Sequence, residues 1–237
     1  MNGSIFWTRA QSNWQEDTKL FGDHKVISIP CIQTFPMAIP TVLPSCSNII
    51  ITSQKTIDYA KKSEHLMKLL GQATVHTFGN KTAKSLELYC LSLVQYDVKS
   101  GAELLEILPK KLNGNEVLYM GPESPATEVL PPLQKHGIKA HSLALYKTGL
   151  PEKALPLPKP LSGIICFASP SAINNFQIIS ENSNNEYLWA VTIGATTAKV
   201  AKEYFTTVSS IEKPDLKLLF QQALRMKKDW EESIGSS

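Results

Sequence analysis

An internal repeat constrains the fold of this chain more strongly than any other feature of its sequence. Residues 48–54 read Asn-Ile-Ile-Ile-Thr-Ser-Gln, and residues 163–170 read Gly-Ile-Ile-Cys-Phe-Ala-Ser-Pro, so each is an apolar run that leads into hydroxyl groups. A glycine turn follows about 25 residues later, at Gly79 in the first copy and at Gly194 in the second. The two glycines are 115 residues apart. Self-similarity at a fixed spacing predicts two homologous units of about 115 residues.

The repeat also includes the segments before these landmarks. Residues 4–9 and 116–121 are both apolar runs that break into a loop. Thr34 and Thr148 end a second matched pair of segments and lie 114 residues apart. Landmarks that share nearly one offset along the whole chain support a true duplication.

Strand-like apolar runs alternate with helical stretches through both copies. Helices are predicted over residues 11–21 and 56–70, for example, the second because its apolar residues approximate one helical face. This alternation predicts an α/β fold with parallel sheets built from right-handed crossovers.

The composition excludes several classes of protein. With 43% hydrophobic and 19% charged residues, the chain matches a soluble globular protein with enough apolar residues for two cores. No apolar run approaches the roughly 18 to 20 residues of a membrane span. The N-terminal residues lack the pattern of a signal peptide, so we expect no membrane association and a cytoplasmic location. The net charge of +3 is too small for a nucleic-acid binder but suits a small anionic ligand.

The cysteines and histidines give no sign of a metal site. The four cysteines are scattered without a Cys-x-x-Cys pair, and the five histidines show no ligand spacing. Cys31 and Cys166 lie in strand-like apolar runs, where a reduced, buried thiol is usual. The nucleotide-binding patterns Gly-x-x-x-x-Gly-Lys-Ser/Thr and Gly-x-Gly-x-x-Gly are also missing. We therefore expect neither a metal nor another cofactor.

The glycine turns and the nearby hydroxyl groups predict where an anion binds. In a parallel sheet such turns lie at the carboxyl ends of strands, where helix starts offer unpaired N–H groups and a positive dipole end. Gly79 and Gly194 permit a tight turn there, and neighbouring hydroxyls add donors for carboxylates or phosphates. The alternative is that Thr82, Thr196 or Ser171 only caps its helix. The same device in both halves favours a shared binding cleft.

Taken together, these motifs resemble those of the uroporphyrinogen-III synthase family over nearly the whole chain. The resemblance rests on Thr52-Ser53, on the Gly79-x-x-Thr82-Ala83 and Gly194-x-Thr196-Thr197-Ala198 turns, on Phe167-x-Ser169-Pro170-Ser171, and on Leu145-Tyr146-Lys147-Thr148. It implies an α/β fold of two flavodoxin-like lobes with parallel sheets, joined by a two-stranded linker. On this pattern residues 1–34 and 149–237 form lobe 1, and residues 35–148 form lobe 2.

The resemblance also implies a reaction that needs no metal, flavin or nucleotide. The substrate is hydroxymethylbilane, a linear tetrapyrrole with acetate and propionate side chains, and the product is uroporphyrinogen III. Loss of the terminal hydroxyl leaves an azafulvene, which the last pyrrole ring attacks through a substituted carbon. The spiro intermediate then fragments and recloses with that ring inverted. The enzyme is expected to be a monomer that receives its substrate from hydroxymethylbilane synthase.

The same resemblance implies the site residues. Tyr146 matches the family's tyrosine facing the cleft, where a neutral phenol can donate a hydrogen bond to the departing hydroxyl. The alternative is that Tyr146 only packs in the linker strand. The residues expected to bind substrate are Thr8, Arg9, Thr52, Ser53, Gln54, Gly79, Lys81, Thr82, Ser169, Pro170, Ser171, Gly194, Thr196 and Thr197. Lys81, Lys147 and Lys199 are placed to pair with substrate carboxylates, or are simply solvated.

One loop departs from the family pattern. The family often has a glycine followed within a few residues by Arg or Lys, but residues 121–127 read Gly-Pro-Glu-Ser-Pro-Ala-Thr and contain no basic residue. This weakens one expected anion contact. It also keeps a second function open, that of a non-catalytic two-lobed binder of an anionic small molecule. Turnover separates the two functions.

Overall fold

The computed structural model describes residues 3–112, 116–125, 127–153, 155–181, 186–213 and 215–235. Its strands are β1 (Ser4–Trp7), β2 (Val26–Ser28), β3 (Gln33–Pro36), β4 (Asn48–Ile51), β5 (Thr74–Phe78), β6 (Ser92–Tyr96), β7 (Glu116–Pro122), β8 (Lys139–Gly149), β9 (Gly163–Phe167), β10 (Leu188–Ile193) and β11 (Val208–Ile211). Its α-helices are α1 (Trp14–Asp17), α2 (Gln54–Ala60), α3 (Glu64–Gln72), α4 (Asn80–Leu86), α5 (Gly101–Ile107), α6 (Leu130–Lys135), α7 (Pro170–Ile179), α8 (Gly194–Ala201) and α9 (Leu216–Gly235).

The chain divides into two compact units, each with its own sheet. Unit 1 contains residues 1–34 and 149–237, and unit 2 contains residues 35–148. The chain passes from unit 1 to unit 2 within β3 and returns at the end of β8. Unit 1 is therefore discontinuous in sequence, whereas unit 2 is one continuous segment.

The sheet of unit 1 has the strand order β11-β10-β9-β1-β2, and all its neighbouring strands are parallel. Apolar clusters cover both of its faces. One cluster includes α7 and α8, and the other includes α9. The buried residues of α9 are Leu219, Phe220, Ala223, Met226 and Trp230, which recur at the spacing of one helical face.

The sheet of unit 2 has the order β3-β8-β7-β4-β5-β6, with parallel pairing from β8 through to β6. Every residue of β4 is buried, as expected for a central strand with helices on both faces. One apolar cluster includes α2 and α3 and the other includes α5 and α6, so these helices pack on opposite faces.

Each sheet combines strands from both copies of the repeat. In unit 1 the first two strands of copy one, β1 and β2, lie beside the last three strands of copy two. In unit 2 the first two strands of copy two, β7 and β8, lie beside the last three of copy one. Numbered within the repeat, both sheets run 2-1-3-4-5, with β3 as an additional edge strand in unit 2, and this is the flavodoxin-like order. The predicted α/β fold with two parallel sheets is confirmed.

Two predicted helices differ from the structure. Residues 56–70 form two helices rather than one, because the side chain of Ser63 accepts a hydrogen bond from the Leu66 N–H and begins α3 as a new helix. Residues 11–21 form only one α-helical turn between two 3₁₀ turns. Among the described residues, no helix is both long enough and apolar enough to cross a membrane.

A buried polar network crosses the sheet of unit 2. His76 is 2% exposed, with Nε2 3.1 Å from Asn48 Oδ1 and Nδ1 3.0 Å from the Tyr96 hydroxyl oxygen. Burial lowers the pKa of His76 to about 4. The neutral ring then donates to the Asn48 oxygen and accepts from the Tyr96 hydroxyl, which satisfies both of its nitrogens.

Candidate functional site

A pocket of about 270 Å³ lies in unit 2 at the carboxyl ends of its central strands. The chain leaves β4 and β7 in opposite directions along the sheet, toward β5 and β8 respectively, so the crevice between these strands is a topological switch point. Open α/β sheets bind their ligands at such points. The polar residues that line the pocket are Thr52, Ser53, Tyr119, Thr127 and Tyr146, and apolar residues such as Phe78, Leu104 and Leu105 line the rest.

Tyr146 brings a buried phenol to this pocket. It is 6% exposed, and its ring stacks on Tyr59 with the centroids 4.9 Å apart and the planes at 15°. Burial raises the pKa of Tyr146, while the hydroxyls of Ser53 and Thr56 lower it. At neutral pH the phenol is therefore protonated and able to donate a hydrogen bond.

Tyr119 supplies a second phenol, which the sequence analysis missed. It is 2% exposed, and burial raises its pKa, whereas its hydrogen bond with Thr52 lowers it. A Cβ atom at Gly121 would lie 2.3 Å from the Tyr119 hydroxyl oxygen, so only glycine leaves room for this ring. Tyr119 could have been found from the repeat, since it occupies the position that Trp7 holds in the first copy.

The strand end after β4 combines local capping with pocket lining. The Ser53 side chain caps α2 by accepting a hydrogen bond from the Lys55 N–H at 3.2 Å, and the same residue lines the pocket. Gln54 is half-buried as the first residue of α2. The Thr56 hydroxyl is buried near the Tyr146 phenol, but it makes no hydrogen bond of good geometry among the described residues. Three of the predicted site residues, Thr52, Ser53 and Tyr146, therefore line one pocket.

The glycine turn after β5 has the backbone conformation expected of it. Gly79 has φ of 79°, a left-handed conformation that favours glycine, and it precedes α4 without a side-chain cap. Lys81 is exposed in the first turn of α4. Thr82 is 8% exposed and does not cap the helix.

Unit 1 places its predicted residues at the ends of β9 and β10. The Ser169 side chain caps α7 by accepting a hydrogen bond from the Ala172 N–H. The exposed Ser171 hydroxyl oxygen lies 3.0 Å from the Ser169 hydroxyl oxygen. Pro170 is the first residue of α7. Gly194 has φ of 73° and begins α8, which has no side-chain cap.

None of Thr82, Thr196 and Ser171 occupies the N-cap position of its helix. Thr196 is exposed and Thr197 is 4% exposed within α8. The N-cap position of α8 is Ile193, that of α4 is Gly79, and that of α7 is Ser169. The capping explanation is therefore wrong for Thr82, Thr196 and Ser171.

Thr8 and Arg9 are held by contacts inside unit 1. The Thr8 hydroxyl is fully buried and donates to the Cys166 carbonyl at 2.7 Å. Arg9 forms an ion pair with Asp17, a carboxylate that is 1% exposed and also accepts from Trp7 Nε1 at 2.9 Å. Burial raises the pKa of Asp17, against the lowering effects of Trp7 and Arg9. The Arg9 side chain remains 22% exposed.

A cluster of Cys46, Glu116 and His141 lies at the amino-terminal end of the unit 2 strands, opposite the pocket, where β4, β7 and β8 begin. One ligand atom from each residue lies within 4.8 Å of the others. Glu116 Oε1 accepts from His141 Nε2 at 2.9 Å and from Lys139 Nζ at 2.8 Å. These two hydrogen bonds lower the pKa of Glu116. Sequence spacing does not reveal this cluster, because Glu116 and His141 come from two separate strands and Cys46 from the segment just before β4.

Comparison with known proteins gives consistent matches. Residues 13–221 match a family model described as uroporphyrinogen-III synthase HemD. The porphyrin biosynthesis protein HemD of Ruminiclostridium josui is 25% identical over 218 residues, which cover 84% of this chain and 43% of that protein. The chain thus spans less than half the length of this curated relative.

Two solved structures show the same fold. The uroporphyrinogen-III synthetase of Helicobacter pylori has a TM-score of 0.70 at 22% identity, with 94% of this chain and 99% of that chain covered. A mutant uroporphyrinogen III synthase of Thermus thermophilus has a TM-score of 0.56 at 14% identity, with the same coverage. At these identities the likeness supports the two-lobed α/β fold.

Proposed function

The chain belongs to the uroporphyrinogen-III synthase family, and from that membership we propose that it cyclises hydroxymethylbilane to uroporphyrinogen III. The family match over residues 13–221 is the observation that carries this proposal. The family is one of cyclising lyases, and its fold and the pocket in unit 2 are consistent with that activity.

The reaction converts one linear tetrapyrrole into one cyclic product and one water molecule. The terminal hydroxyl of hydroxymethylbilane takes up a proton and leaves as water, while the pyrrole ring that carried it gives up its N–H proton and becomes the azafulvene. The last ring then attacks through its substituted carbon to give the spiro intermediate. The bond from the spiro carbon to the methylene of the preceding ring then breaks, and that methylene bonds to the other α carbon of the last ring, which loses its proton, so the ring is inverted. The protein mainly positions a flexible polyanion and stabilises the charges that develop.

Tyr146 is the proposed donor to the departing hydroxyl. Its phenol is protonated at neutral pH because burial raises its pKa, and it lies in the pocket with Thr52 and Ser53. A positioned neutral phenol can assist the loss of water as a general acid. Tyr119 lies in the same pocket and holds the Thr52 hydroxyl.

The substrate carboxylates are proposed to bind at strand ends and helix starts. The residues in this role are Thr8, Arg9, Thr52, Ser53, Gln54, Gly79, Lys81, Thr82, Ser169, Pro170, Ser171, Gly194, Thr196 and Thr197. Gly79 and Gly194 act through the backbone, since the helices that follow them have no side-chain cap to occupy their first N–H groups. Arg9 has further guanidinium N–H groups beside those that bind Asp17. Thr8, Thr82 and Thr197 are buried, so their proposed part is indirect: they support the strand ends and helix starts that contact the carboxylates.

We also propose the setting in which the enzyme works. The substrate is a small molecule, and neither nucleic acid nor membrane takes part. The protein acts as a cytoplasmic monomer that receives hydroxymethylbilane from hydroxymethylbilane synthase. The net charge of +3 favours an encounter with a polyanionic substrate.

Isomer analysis tests the reaction. Hydroxymethylbilane cyclises unaided to the type I isomer, so an active synthase must redirect the product to type III without added metal, flavin or nucleotide. Oxidation of the products to porphyrins and chromatography of the isomers give the ratio. Type I product alone at high protein concentration would overturn the proposal and support the non-catalytic binder, for which the loop at 121–127 without a basic residue is the favouring observation.

The variant Tyr146→Phe tests the role of the phenol. It keeps the ring that stacks on Tyr59 and removes the donor, so we expect type III formation to fall by roughly 10²-fold, at the lower end of general acid effects. Tyr89→Phe, which removes another partly buried phenol of unit 2, is the control and should retain full activity. Full activity in Tyr146→Phe would remove Tyr146 from the mechanism and leave the synthase proposal standing.

A further inference from the structure

The side chains at the amino-terminal edge of the unit 2 sheet form a set of three different metal-binding groups. Cys46 offers a sulfur, His141 an imidazole nitrogen and Glu116 a carboxylate oxygen, and the three atoms lie within 4.8 Å of one another. Zinc binds these three types of ligand in tetrahedral sites with bonds of roughly 2.0 to 2.3 Å. Ligand atoms around such an ion are about 3 to 4 Å apart, so small side-chain movements would bring these three into place.

We propose that Cys46, Glu116 and His141 bind a zinc ion at this edge of the sheet. Sulfur together with nitrogen favours zinc over magnesium or calcium, which prefer oxygen ligands alone. Three protein ligands leave the fourth tetrahedral position to water.

The backbone around the cluster is well fixed. Glu116 begins β7, and its carbonyl accepts a hydrogen bond from Asn48 Nδ2 at 3.4 Å. Asn48 in turn binds the buried His76. His141 lies in β8, which pairs in parallel with β7 through Leu118. Glu116 and His141 lie on paired strands and keep their spacing, and Cys46 is only two residues before β4, so little conformational freedom is lost when the ion binds.

Zinc binding requires two local changes. His141 Nε2 gives up its hydrogen bond to Glu116 Oε1 and coordinates through its lone pair, with the ring proton on Nδ1. The Cys46 thiol loses its proton to solvent and binds as thiolate. The Lys139 side chain is 70% exposed, so its ammonium group can move into solvent without a buried charge being left behind.

The site is distinct from the pocket that contains Tyr146. Glu116 and Pro122 are at opposite ends of β7, so roughly 20 Å separates the two strand ends at about 3.3 Å per residue. Zinc at this position stabilises the edge of unit 2 and takes no part in the cyclisation.

The full-length protein, stripped of metal with a chelator and kept reduced, provides the test. Titration with Co²⁺ should produce a thiolate-to-cobalt charge-transfer band that saturates at one equivalent, and Zn²⁺ should displace it. Zn²⁺ should also raise the midpoint of thermal unfolding in a concentration-dependent way. One proton should be released per ion from the Cys46 thiol.

Matched variants assign the site. Cys46→Ser and His141→Ala should each abolish the cobalt band and the thermal shift, whereas Cys90→Ser, which alters a half-buried thiol outside the cluster, should retain both. Type III formation in Cys46→Ser should equal that of the wild type. The proposal is overturned if wild-type protein gives no band and no thermal shift, or if both persist in Cys46→Ser.

Discussion

Trp7 in unit 1 and Tyr119 in unit 2 occupy equivalent positions of the repeat, yet they leave the carboxyl ends of the two sheets in different states. Trp7 Nε1 donates a hydrogen bond to the buried Asp17 carboxylate, and the ring of Phe21 packs edge-on against the Trp7 ring with the centroids 5.1 Å apart. Tyr119 hydrogen-bonds to the neutral Thr52 hydroxyl and lines a pocket of about 270 Å³. Unit 1 fills this position with aromatic rings and an ion pair, whereas unit 2 leaves space for a ligand.

The residue two positions further along explains part of this difference. In unit 1 it is Arg9, which pairs with Asp17, and in unit 2 it is Gly121, which makes room for the Tyr119 ring. The strands of the two units are equivalent, and a few side chains at their carboxyl ends determine whether the space is filled or left open as a pocket.

The largest difference between the two units should be in the folding of isolated fragments. We expect residues 35–148 to fold cooperatively by themselves, because they contain every strand of the unit 2 sheet from β4 to β8. Residues 1–34 alone should stay unfolded, since β1 and β2 depend on β9. Circular dichroism and urea unfolding measure both. Independent folding of 1–115 and 116–237 would show that the strands are not exchanged between the repeat copies.

Replacement of Asp17 should affect stability strongly, because it removes one partner of the buried ion pair in unit 1. We expect Asp17→Ala to lower the free energy of unfolding by about 3 kcal/mol, at the low end for broken buried pairs since Arg9 is partly exposed. Thr52→Val removes the corresponding partner of Tyr119 in unit 2 and should cost only about 1 kcal/mol. Equal losses in urea unfolding would contradict the difference between the two strand ends.

Acid should destabilise unit 2 through His76. The pKa of His76 is about 4 in the folded protein, and the ordinary value is 6.5, so below pH 6.5 the unfolded state binds more protons. Stability is therefore lost as the pH falls from 6.5 to 4, by up to roughly 3 kcal/mol. Asp17 has the opposite effect on the stability of unit 1. Its pKa is raised in the folded protein, so as the pH falls the folded state takes up the proton first and gains stability relative to the unfolded state.

His76→Gln is the control for this acid effect. Glutamine can still donate to Asn48 and accept from Tyr96, but it does not titrate. The difference in unfolding free energy between wild type and His76→Gln should therefore change with pH between 6.5 and 4. A constant difference would show that His76 is not responsible.

Gly121→Ala should narrow the unit 2 pocket beside Tyr119. The new Cβ would meet the Tyr119 hydroxyl at 2.3 Å, so the ring must move, at a cost of about 2 kcal/mol and with loss of type III formation. Gly71 lies within α3, and a Cβ there would be 3.8 Å from the Tyr89 carbonyl oxygen, so Gly71→Ala serves as the control. If Gly121→Ala keeps full activity, the position of Tyr119 does not matter to the reaction.

The sequence predicted the fold better than the site. Strand alternation and the repeat offsets were sufficient for two parallel sheets, because periodicity of this kind is a property of neighbouring residues. The break between α2 and α3 was missed, since apolar residues continue along one face on both sides of the Ser63 cap. Thr52, Ser53 and Tyr146 were grouped by resemblance, and the structure places them in one pocket.

Other site features depend on side chains that are far apart in sequence. The sequence predicts that Arg9 binds substrate, but it does not show that Arg9 pairs with Asp17. This ion pair forms because the segment after β1 folds back toward the strand end. The buried Thr56 hydroxyl and the contact between Tyr119 and Gly121 depend on the packed interior. Likewise, no spacing pattern unites Cys46, Glu116 and His141, because only the folded sheet brings the starts of β7 and β8 close to the segment before β4.

The exchange of strands between the two sheets has a consequence for synthesis on the ribosome. The Thr8 hydroxyl must find the carbonyl of Cys166, 158 residues later in the chain. At roughly 5 to 20 residues per second, β1 waits on the order of 10 to 30 s after it leaves the ribosome before its partner strand β9 exists. During that time the apolar side chains of β1 have no native sheet to join, while residues 35–148 can already fold. We therefore expect the nascent β1 segment to need protection from aggregation until β9 has been made.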